Sequence, residues 1–118
     1  MIEILTHDFN GFSAVLESGA WKLGLLGYSE RFSRFCEMER HLLTDEAFVL
    51  LDGEATLHTE SGAVQMKKFT VYDVPAGVWH HITVSRDGKV MVVENRNTSR
   101  ENTEKRYFDQ KENNDADK

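Results

Sequence analysis

Apolar residues recur along this chain in short runs broken by glycine-containing turns. Phe12–Glu17 and Ala20–Tyr28 are joined at Ser18-Gly19, and Phe35–Glu39, Ala47–Leu51, Ala55–Thr59, Ala63–Lys67 and Thr70–Val74 follow. Each run has the length expected of a strand. Asp52-Gly53 and Ser61-Gly62 fall between runs, where glycine supplies the positive φ of a tight reversal. Arg86-Asp87-Gly88 separates Ile82–Ser85 from Val90–Glu94, and this spacing predicts a hairpin of those two strands. No stretch carries an apolar stripe at helical period over more than about two turns. Short strands spaced by roughly 8–12 residues, with no helices to cover a parallel sheet, predict an all-β protein built as an antiparallel sandwich or barrel.

A chain of 118 residues holds one core, and residues 1–108 are read as a single domain. Asp109–Lys118 has Ala116 as its one apolar residue, with four acids against two bases. Such a segment cannot offset its ordering entropy, so a disordered acidic tail is expected. Acids outnumber bases by 20 to 14 overall, a formal charge of −6, which argues against a protein that coats nucleic acid. No apolar run approaches the ~18 residues of a spanning helix, so no membrane partner is expected. Met1–Asp8 lacks the basic start and long apolar stretch of a secretory signal, which predicts a cytoplasmic protein. Cys36 is the single cysteine, which excludes an intrachain disulfide and a multi-cysteine zinc site. Its alternating surroundings, Phe35-Cys36-Glu37-Met38, mark it as a small buried hydrophobe rather than a nucleophile. The charged stretch Arg96–Arg106 reads as a solvated connection.

Candidate chemistry lies in two clusters. Glu46 heads the most apolar strand and shares a face with Phe48 and Leu50, so a core-facing Phe48 brings Glu46 inward with it. A buried carboxylate needs a partner, and His41 stands five residues before it. That odd separation puts the two on opposite faces of a regular strand, and only a bulge or bend at Leu42–Asp45 turns both to one point. The second cluster is Pro75-Ala76-Gly77-Val78-Trp79-His80-His81. His80 and His81 point opposite ways in a strand. An inward His80 brings Ile82 and Val84 with it and makes the better core, which leaves His81, like His58, on an outward face. Trp79 beside His80, together with Phe48, is placed at the pocket wall.

These clusters resemble the two motifs of the cupin superfamily, and His41–Asn97 is similar to small bacterial cupins of unassigned activity. The first motif, which reads His-x-His and then Glu and Gly, is occupied by Glu39-Arg40-His41, Glu46 and Gly53; the second, Pro-x-Gly followed by His, by Pro75, Gly77 and His80. Ser33 and Phe69 stand where each motif opens with Gly, and Val84 where the second closes with Asn. The resemblance implies an antiparallel double-sheet jelly-roll barrel. It places His41, Glu46 and His80 on three metal-ligand positions, with Glu39 at the fourth in place of the usual His. Two imidazoles and one carboxylate suit a divalent ion such as iron, manganese, nickel or zinc. The implied function is a metal-binding cupin, or a metal-dependent enzyme, acting on a small polar molecule of carboxylate or sugar-like type. Two alternatives stand beside it: a metal-free sensor that binds a small ligand, and a homodimeric scaffold in which residues 1–30 exchange across a two-fold.

Overall fold

The computed structural model describes residues 1–108; the tail expected at 109–118 lies outside them. Ten strands form: β1 (Phe12–Ser18), β2 (Trp21–Gly27), β3 (Glu37–His41), β4 (Glu46–Asp52), β5 (Ala55–Thr59), β6 (Gly62–Gln65), β7 (Val71–Val74), β8 (His80–Val84), β9 (Lys89–Asn95) and β10 (Thr103–Tyr107). One 3-10 turn, Arg100–Asn102, leads into the last. The strands make two five-stranded sheets, β1-β2-β9-β4-β7 and β10-β3-β8-β5-β6, and every strand pair within them is antiparallel. The protein is all-β, and its ladders describe two separate sheets rather than one closed cylinder. No helix among the described residues is long and apolar enough to cross a membrane.

Alternation selects the face each sheet turns to the core. In β4 Glu46, Phe48 and Leu50 are buried while Ala47 and Val49 are half-buried, and in β9 Val90, Val92 and Glu94 are the buried set. These residues meet Leu57, Ile82 and Val84 of the other sheet, with Leu26, Phe32 and Met66 closing the core. Each large side chain so buried contributes roughly 1.5–3 kcal/mol of transfer free energy. Two acids therefore enter the core on the same faces as its aliphatic residues, at neighbouring positions, because Glu46 pairs directly with Glu94.

Asp52-Gly53, read as a tight reversal, leads from β4 into the other sheet, while the turns at Ser18-Gly19 and Ser61-Gly62 are present as the hairpins β1–β2 and β5–β6. The one expected between β8 and β9 is not. β8 pairs with β3 and β5, whereas β9 pairs with β2 and β4, so the Arg86-Asp87-Gly88 turn carries the chain from one sheet to the other. Both strands have an apolar inner face, and crossing over lets Val84 and Val90 enter the core from opposite sides. Residues 103–106, read as part of a solvated connection, instead join Tyr107 in forming β10 along the edge of β3.

Candidate functional site

The turn at 42–45 links β3 to β4 and also moves the chain between sheets. His41 and Glu46 consequently face one another across the core, which is the bend their odd separation required. The second cluster is tied to the first through the backbone: Gly77, at φ +83°, donates its N–H to the His41 carbonyl at 2.7 Å. That bond fixes where β8 starts and brings His80 to the same point.

Glu46 Oε1 lies 3.1 Å from His41 Nε2 and 2.8 Å from His80 Nε2. Each imidazole is oriented from behind. His80 Nδ1–H donates to the Val78 carbonyl at 2.9 Å, which places a hydrogen on Nδ1 and turns Nε2 inward. His41 Nδ1 pairs with Thr103 Oγ1 at 2.9 Å. Glu39 Oε1 is 3.7 Å from His41 Nε2, while its other oxygen accepts from Arg31 Nη2 at 3.1 Å. Glu39, His41, Glu46 and His80 thus offer four ligand atoms, all within 4.8 Å of one another, and all but Glu39 are buried. Two imidazole nitrogens backed by hydrogen bonds, converging on a carboxylate, form a donor set that fits a divalent cation.

The electrostatics of the cluster follow from its burial. Burial alone would raise the Glu46 carboxyl, but the hydrogen bonds from His41 and His80 outweigh it and hold the group well below the ordinary carboxylate range. For His41, burial acts to lower the ring's pKa, and the bond to Glu46 with the nearby acids reverses that, leaving it above its ordinary value. Glu94 goes the other way. Burial, then its hydrogen bond with Glu46 and the charge of that carboxylate, push Glu94 up to about 8, although Lys22 Nζ lies 3.6 Å away.

A cavity of about 770 Å³ opens above the cluster and is lined by Glu39, His41, Glu46, Phe48, His80 and Glu94 among others. Phe48 stands in its wall. Trp79 does not: it is clamped between the guanidinium groups of Arg40 and Arg106, with ring-centroid distances of 4.7 and 4.3 Å. Strand alternation is the reason, since His80 turns inward and its neighbour turns out. His81 is buried rather than solvated, stacked on Phe32, and its Nε2 bonds the Arg31 carbonyl at 3.1 Å. His58 packs on Phe35 and bonds Thr83. Cys36 is half-buried with Sγ 3.9 Å from the Arg31 carbonyl. Sequence reasoning missed Glu94, Lys22, Thr103, Lys105 and Tyr107, all of which line the cavity. For Glu94 the signal was present, because Val90, Val92 and Glu94 alternate as Glu46, Phe48 and Leu50 do.

No protein-family model matches the sequence, and no curated protein matches it. Solved structures do. A cupin-2 domain protein from Shewanella frigidimarina superposes with a TM-score of 0.59 at 20% identity, over 73% of this chain and 80% of its own. A cupin superfamily protein from Desulfitobacterium hafniense gives 0.55 at 20% identity, over 70% and 72%. Pac13, a nucleoside dehydratase, gives 0.63 at 11% identity over 92% and 88%, and a Streptomyces Pac13 variant holds uridine. At these identities the likeness is one of fold.

Proposed function

From the premise that this chain has the cupin fold, we propose that it binds one divalent metal ion through His41, Glu46 and His80, with Glu39 as a further ligand. The two sheets would then be the halves of a jelly-roll barrel whose interior is the site. The observation that carries this reading is the convergence of two back-bonded imidazole nitrogens on one buried carboxylate oxygen, at 3.1 and 2.8 Å. Iron, manganese, nickel and zinc all suit such donors. A bound ion would supply Lewis acidity toward an oxygen of the ligand. The protein's own contribution is to orient the donors through Thr103 and Val78 and to keep bulk water from the apolar wall at Phe48.

The ligand of this reading is a small polar molecule, carboxylate or sugar-like, of a size that enters a 770 Å³ cavity, and the reaction is a metal-dependent one on that molecule. Support for the class comes from the mixed polar and aromatic lining and from a neighbour of the same fold that holds uridine. Metal analysis of untagged protein tests it: about one equivalent is expected, and His80→Ala is expected to lose it. Negligible metal after growth in several media would overturn the reading in favour of a metal-free binding module. In that module, imidazole N–H groups satisfy Glu46 by themselves.

We further propose a cytoplasmic homodimer. Met1, Ile2, Ile4 and Leu5 are exposed in a segment without regular structure, and Trp21 is exposed on the adjoining β2.

A further inference from the structure

Charges around the cavity are unevenly matched. Arg31 is engaged by Glu37 at 2.6 Å and Glu39 at 3.1 Å, and Lys22 by the Thr98 carbonyl at 2.9 Å and by Glu94. Arg100 and Lys105 line the same cavity, are exposed, and have no side-chain ion pair or hydrogen bond among the described residues. In a chain of net charge −6 these are two cations without an ion partner in the lining of one cavity.

Neither is carried on a loose segment. Arg100 opens the 3-10 turn, which Ser99 and Asn102 cap reciprocally, and Asn102 also binds the Asn97 carbonyl at 2.8 Å and receives the Leu42 N–H at 2.9 Å. Lys105 sits on β10 directly opposite Glu39 and, by alternation, on the same face as Thr103, which bonds His41.

We infer that the mouth of the cavity is an anion site built from Arg100 and Lys105, and that the ligand carries a carboxylate or phosphate group apart from the portion that reaches the histidine cluster. The identity of the inner portion rests on the proposed metal-binding function; the anion site itself needs no metal. Local cations in an otherwise acidic molecule also attract such a ligand from solution, and salt weakens that attraction.

The test uses full-length protein freed of metal by chelation, titrated calorimetrically with inorganic phosphate and, in a parallel arm, with malonate. Saturable one-to-one binding is expected for at least one anion, and the tighter arm assigns the group. The Arg100→Gln/Lys105→Gln double variant is expected to bind about tenfold or more weakly. Lys67→Gln, which removes an exposed cation away from the cavity, is expected to bind as the parent does. Because neither mouth cation is buried, folding of the double variant is expected to be intact, with an unchanged melting curve as the check. His80→Ala should keep anion binding while losing metal, so failure of the metal reading and failure of this inference give different results. Absence of saturable binding, unchanged affinity in the double variant, or loss of anion binding in His80→Ala would overturn it.

Discussion

Thr103 illustrates how much a single hydroxyl contributes to the site. Its bond to His41 Nδ1 sets the direction of Nε2, so Thr103→Val is expected to weaken metal binding by about tenfold or more while Thr103→Ser keeps it, as measured by competition with a chromophoric chelator. Glu46 and His80 were legible because each shares a strand face with apolar neighbours whose destination is the core. Trp79 was misplaced because adjacency in a strand means opposite faces, and Thr103 was illegible because it lies 62 residues from His41 in sequence. His58 and His81 belong to a different line of reasoning. Burial holds both rings below their ordinary pKa of 6.5. The unfolded chain takes up those protons near pH 6.5 and the folded chain resists them, so their stabilisation is present above that pH and is lost as pH falls. In chelator-treated protein His58→Phe, which keeps an aromatic face toward Phe35, should therefore gain melting temperature relative to the parent on going from pH 7 to pH 5.

At the scale of elements, two of the sheet-changing turns lean on each other. Gly53, between β4 and β5, has φ +70°, and a Cβ there would lie 2.7–2.8 Å from the backbone of Asp87 and Gly88, in the turn between β8 and β9. Gly53→Ala thus combines an unfavourable backbone angle with a clash that no side-chain rotation relieves. A loss of at least about 1–3 kcal/mol is expected in denaturant unfolding. Strand positions read well from alternation wherever a strand is half-buried, as in β4, β5 and β9. The pairing of β8 and β9 did not, because a glycine turn marks a reversal without saying which sheet receives the next strand. β10 escaped notice for a simpler reason. Its sequence, Thr-Glu-Lys-Arg-Tyr, has no apolar alternation, and its residues are mostly exposed, so backbone pairing with β3 rather than burial holds it in place.

For the molecule as a whole, binding to the folded state alone must raise stability. A divalent ion at 100 times its Kd is expected to add about 2.7 kcal/mol, read as a higher melting temperature that His80→Ala abolishes. Deleting residues 1–19 is expected to convert the proposed dimer to a monomer in light scattering, and Ile2→Glu with Ile4→Glu in the intact chain should do the same without touching β1. An unchanged assembly in both would exclude that segment as the contact. The site has one more property at this scale. Glu39, His41 and His80 stand on one sheet and Glu46 and Glu94 on the other, so the polar bonds of the centre bridge the two layers. Slippage of one layer past the other by a single residue would tear both imidazole contacts from the same oxygen at once. The cluster therefore acts as a rivet through the sandwich, and slow amide exchange should extend along β4 and β8 together, as one cooperative unit.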